Sequence, residues 1–111
     1  MKPDHARHTL IASIDQDAML AQAQSWSAIN TGTANLDGLA RMAAILADSF
    51  AALPGEVAMV DAAPVVAIDA AGREVQQCFG QHVVLRVRPE AERRLLLTGH
   101  MDTVFPADHS F

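Results

Sequence analysis

The pair Pro54-Gly55 divides this chain into two stretches whose apolar residues repeat with different periods, and any fold must accommodate that change. Upstream of it, Leu39, Ala43, Leu46, Phe50 and Leu53 recur at helical spacing, an apolar stripe suited to lying on a sheet. Asn35 stands where an N-cap is needed and Asp37 falls in the first turn, where its charge meets the positive helix end. Gly38 weakens the helix start, and Pro54-Gly55 stops the helix. Downstream the period is two. Val57 and Met59 alternate with small or polar neighbours, and residues 65–68 continue the extended pattern. Ala70-Ala71-Gly72 reads as a turn into a further extended segment, Glu74 to Phe79. Val83, Leu85 and Val87 alternate with Val84, Arg86 and Arg88, which describes a half-buried strand stopped by Pro89.

An earlier helix starts near Asp15 and Asp17, runs Met19, Ala23 and Trp26 along one course, and ends near Ile29. There Asn30-Thr31-Gly32-Thr33 supplies turn chemistry. Residues 1–13, polar and without a clear period, are expected to form a loose lead-in, leaving 14–111 as the folded part. Half of the 111 residues are apolar, enough for the core of one small domain. The expected class is α/β, with N-terminal helices packed on a mixed, largely parallel sheet.

Composition excludes several partners. The net charge is −5 and the basic residues are scattered, so no stripe argues for nucleic acid. The longest apolar stretch near the N-terminus, Leu10 to Ile14, is broken by Ser13 and is too short for a signal core or a bilayer span. Cys78 is the only cysteine, which excludes an internal disulfide and makes a reducing, cytoplasmic setting the default. Beside Phe79 it reads as a small buried hydrophobe.

Chemistry concentrates between Leu95 and Pro106. Leu95-Leu96-Leu97 has no polar face, as in a central strand covered on both sides. If that extended geometry continues past Thr98, His100 and Asp102 project to the same side and Met101 into the packing. A zinc-ligating imidazole commonly donates its other N–H to a carboxylate, and Asp two positions on is suited to accept it. Gly99 permits a turn or a close approach just before the ligand. On spacing alone the bland alternatives dominate: most histidines are surface or core residues, and aspartate is a common turn residue. Asp108 and His109 follow Pro106 in what reads as a flexible end, His5 and His8 read as solvated, and His82 as opening a strand.

The whole stretch LLLTGHMDTVFP, Leu95 to Pro106, resembles the first metal-binding motif of the zinc-dependent aminoacylase/carboxypeptidase family. This family includes glutamate carboxypeptidase, acetylornithine deacetylase and succinyl-diaminopimelate desuccinylase. Ala28-Ile-Asn-Thr-Gly-Thr-Ala-Asn-Leu-Asp-Gly-Leu39 is similar to a segment between the first two helices of glutamate carboxypeptidase-like members. The resemblance runs from about Asp17 to Phe111.

It implies that His100 ligates one ion of a two-zinc centre, cobalt being able to replace zinc, and that Asp102 orients the imidazole in a catalytic supporting role. The implied reaction is hydrolysis of an amide in a small peptide or N-acyl amino acid by an activated water. In the family a bridging Asp, a Glu general base and the other ligands follow the H-x-D motif. The chain is therefore expected to be the opening part of a longer hydrolase that forms a homodimer, inactive by itself. The rival expectation is a non-catalytic remnant or assembly module that keeps only the first elements of that fold.

Overall fold

The computed structural model describes residues 3–110, in which three helices precede four short strands. Helix α1 spans Pro3–Ala12, α2 Gln16–Ser27 and α3 Leu36–Phe50. Strands β1 to β4 span Glu56–Val60, Val65–Ile68, Glu74–Gln77 and His82–Arg86. The expected change of period at Pro54-Gly55 is thus the boundary between helices and strands.

Capping explains where the helices begin. The Asp15 carboxylate accepts from the Ala18 N–H at 3.0 Å, satisfying one of the open donors at the start of α2. The Asn35 side chain does the same for Gly38 at 3.1 Å and starts α3. Residues 3–12, expected to be loose, are helical with Asp4 in the first turn, yet the helix remains almost wholly exposed. Ser13 lies in the turn after it, and Met1 and Lys2 lie outside the described residues.

Among the described helices, α3 is the one that packs closely on a sheet. Its Leu39, Met42 and Ala43 are buried and it lies against β1 and β4. The expectation that both predicted helices cover the sheet fails for α2, which buries no residue and keeps Met19 and Leu20 exposed. Its apolar residues are too few and too small to form a full stripe; Trp26 alone is half-buried.

The sheets are antiparallel, which corrects the expectation of a mixed, largely parallel sheet. Strand β1 pairs with β4, placing Val57 opposite Leu85 and Met59 opposite Val83. Strands β2 and β3 form a separate hairpin, with Val66 opposite Gln76. Parallel neighbours need a long crossover, usually a helix. Here the link from β1 to β4 carries the β2–β3 hairpin instead, so the chain returns alongside β1 in the opposite direction. The hairpin turn is closed by Asp69, whose carboxylate accepts from the Ala71 and Arg73 N–H groups at 2.8 and 2.9 Å.

Leu95 to Leu97, expected as a central strand, joins no ladder among the described residues. These leucines are 84, 85 and 83% exposed. An all-apolar segment needs neighbours on both sides, and the described elements place none there. The segment borders an open trough of about 2230 Å³ that is also lined by Leu39, Met42 and Phe50 of α3 and by Leu85 of β4. The radius of gyration is 18.4 Å, against roughly 13 Å for a compact domain of about this length. The apolar material is present, but much of it faces the trough rather than a closed core.

Exposed leucines beside unpaired main chain favour self-association. Light scattering over a concentration series is expected to show a mass that rises with concentration, and Leu96→Lys to suppress the rise. A concentration-independent monomer for the unaltered chain would contradict this.

Candidate functional site

Two segments far apart in sequence meet to form the site. The Thr103 N–H donates to the Thr31 carbonyl at 2.8 Å, and the Thr33 N–H donates to the Thr103 carbonyl at 3.1 Å. This is an isolated parallel bridge centred on Gly32 and Thr103. Asn30 fastens the same junction with its side chain. Its Nδ2 donates to the carbonyls of Phe105 and Pro106 at 3.1 and 3.0 Å, while its Oδ1 accepts from Gly32 N–H and Asn35 Nδ2. Asn35 therefore both caps α3 and braces Asn30, so the junction is tied to the best-packed helix.

Close approach of backbone occurs at Gly32, where a Cβ would collide with the Phe105 carbonyl oxygen. Gly99, expected to fill that role, has open space around it.

On this junction the expected pair comes together. His100 Nδ1 lies 3.1 Å from Asp102 Oδ1 and 3.0 Å from the Asp102 carbonyl oxygen. Both acceptors require the proton on Nδ1, which in the neutral ring leaves Nε2 with its lone pair. Among the described residues no hydrogen bond engages Nε2, and the His100 side chain is 83% exposed. The other carboxylate oxygen, Oδ2, accepts from the Thr33 hydroxyl at 2.8 Å. Half-buried Met101 lines the trough together with His100 and Asp102.

Thr33 and Asn30 are the functional residues that sequence reasoning missed. The segment was singled out by resemblance, but as a turn between helices. The polar run Asn30, Thr31, Thr33 was the available signal, and its partners lie 69 to 76 positions away.

The Asp102 carboxyl is held below its ordinary value of 3.8, foremost by the Thr33 hydroxyl, then by the hydrogen bond and charge of His100; partial desolvation opposes them.

His5 and His8 are exposed on α1 and His82 opens β4, as expected. The His109 ring lies 5.0 Å from that of Phe105. Cys78, expected to be buried, is exposed, because the segment after β3 leaves the sheet without a covering layer.

A zinc ion needs three or four protein ligands. Among the described residues no group of three His, Cys, Asp or Glu could hold a metal ion. His100, with a free Nε2 and a carboxylate on Nδ1, fits one coordination position. No described helix is long and apolar enough to cross a membrane. No family model matches the chain, and no curated protein or solved structure does.

Two outcomes test this geometry. Gly32→Ala forces Thr31–Thr33 away from Phe105 and is expected to cost about 1–3 kcal/mol in urea denaturation, whereas Gly99→Ala leaves the midpoint unchanged. Equal midpoints would refute the tight junction. The second concerns acid. A lowered folded value means that Asp102 contributes stability above the ordinary carboxylate range and loses it as pH falls through that lowered value. Asp102→Asn should thus flatten the loss of stability as the pH falls below the ordinary carboxylate range, measured by urea midpoints across an acid series.

Proposed function

We propose that this chain supplies one zinc ligand, His100, and its orienting carboxylate, Asp102, to a hydrolase that cleaves an amide in a small peptide or N-acyl amino acid. The observation that carries the reading is the Nδ1 contact of His100 with Asp102 at 3.1 Å, which directs Nε2 outward as a ligand. The resemblance of residues 95–106 to the zinc-dependent aminoacylase/carboxypeptidase family supports the choice of metal and reaction.

When bound, zinc supplies Lewis acidity to an amide carbonyl and to water. The chain's own contribution is narrower. Asp102 fixes the tautomer and ring orientation of His100, and its charge raises the basicity of Nε2. The other ligands and the proton-transferring group are proposed to come from protein beyond these 111 residues, since no three-ligand group exists among those described. That same observation favours a second reading, a non-catalytic assembly module that keeps the fold elements without metal chemistry.

Zinc titration followed by histidine ¹⁵N NMR separates the two. The enzyme reading expects the Nε2 resonance of His100 to move with added zinc, and His100→Ala to remove that response while helix α3 stays folded. Zinc responses confined to His5, His8, His82 or His109 would favour the assembly module.

A further inference from the structure

Two apolar surfaces of the described chain are left open. One is the trough, with Phe50 of α3, Leu85 of β4 and Leu96 along it. The other is the corner between α1 and α2, where Leu10, Ile11, Ile14, Met19 and Leu20 are each more than half exposed. Neither α1 nor α2 packs closely on another element. We propose that the two surfaces meet between copies of this chain. The α1–α2 arm of one copy seats its corner in the trough of a second, and the second copy returns its own arm to the first.

Charge matches arm to trough. Residues 4–27 carry three carboxylates, Asp4, Asp15 and Asp17, against one guanidinium, Arg7. The trough has the opposite balance: Arg86, Arg88, Arg93 and Arg94 line it, against the single carboxylate of Asp102. Those arginines are half of the chain's eight basic residues, and among the described residues no ion pair engages them. Asp102 is already held by Thr33 and His100. Glu90 and Glu92 stand on the same connection but do not line the trough. An acidic apolar segment supplies what both the leucines and the arginines lack.

Size selects a polypeptide. Small-molecule sites enclose about 300–1,000 Å³, well below the trough's volume of about 2230 Å³. A helix is about 10–12 Å across, so that volume takes roughly 20–30 Å of its length. At about 1.5 Å per residue, α1 is about 15 Å long and α2 about 18 Å.

The arm's own helix selects a second copy. Trp26, near the C-terminal end of α2, lines the trough, and Asn30 just beyond it is fixed to the carbonyls of Phe105 and Pro106. From that anchor α2 acts as a stiff spacer that carries the corner out into solvent. The molecule is accordingly 64 Å in its longest dimension. Each copy offers one arm and one trough, so a two-fold pair uses all four surfaces and leaves none to recruit a third chain.

Sedimentation equilibrium of the 111-residue chain tests this. The mass is expected to rise with concentration and level off at two chains. Leu20→Lys, a change at an exposed position of the arm, is expected to raise the dimer dissociation constant about tenfold while the α3 amide shifts stay unchanged. Ile11→Lys serves as a second arm variant. A mixture of Leu20→Lys with the trough variant Leu96→Lys should dimerise better than either alone, because one intact arm again meets one intact trough. Association unaffected by either arm variant would overturn the proposal and assign it to pairing of the leucine segments instead. So would a mass that grows past two chains. An unaltered chain that stays monomeric would also overturn it, leaving the trough to its own arm or to a different protein.

Discussion

Everything specific about the site depends on one short piece of main-chain pairing, the bridge between Thr31–Thr33 and Thr103. Two backbone hydrogen bonds join a loop between helices to a segment that no sheet holds. Each contributes about 1 kcal/mol net, a small sum for bringing remote parts of a chain together. The Asn30 and Asn35 side chains extend the junction to the carbonyls of Phe105 and Pro106 and to the cap of α3. These groups satisfy one another in a partly buried setting, where an unpaired polar group would cost more than its hydrogen bond returns. No buried side-chain nitrogen or oxygen among the described residues lacks a partner.

The apolar part of the structure is modest beside this polar junction. Leu39, Met42 and Ala43 are buried where α3 meets β1 and β4, while Leu95 to Leu97 remain open to solvent along the trough. The chain therefore has a firm corner, built from the α3 N-terminus and the loop before it, and an unclosed side. The candidate ligand sits at their boundary, aligned from the firm corner and facing the open side.

The local features were legible in the sequence because they depend on neighbours in the chain. The Asn35 cap, the α3 stripe from Leu39 to Phe50, the turn at Ala70-Ala71-Gly72 and the start of β4 at His82 all follow from residues within a few positions, although α3 ends at Phe50, short of Pro54-Gly55, and leaves Leu53 exposed. The meeting of His100 with Asp102 was legible for the same reason, since it spans two residues. Strand direction was not, because alternation in Val83 to Val87 says which side is apolar and nothing about which strand lies alongside. The triple leucine was misread as a laddered strand because burial on both sides is a property of the surroundings, not of the three residues. Thr33 was invisible as a partner of Asp102, since no local pattern reports a contact between positions 69 apart.

That separation has a consequence for what the site depends on. Closing a loop of 69 residues costs about 4 kcal/mol in chain entropy, more than the two bridge bonds return by themselves. The Asn30 hydrogen bonds to Phe105 and Pro106 and the Thr33–Asp102 contact add to them, and the packing of α3 on β1 and β4 shortens the loop they close. The carboxylate behind His100 thus depends on the integrity of the whole intervening chain.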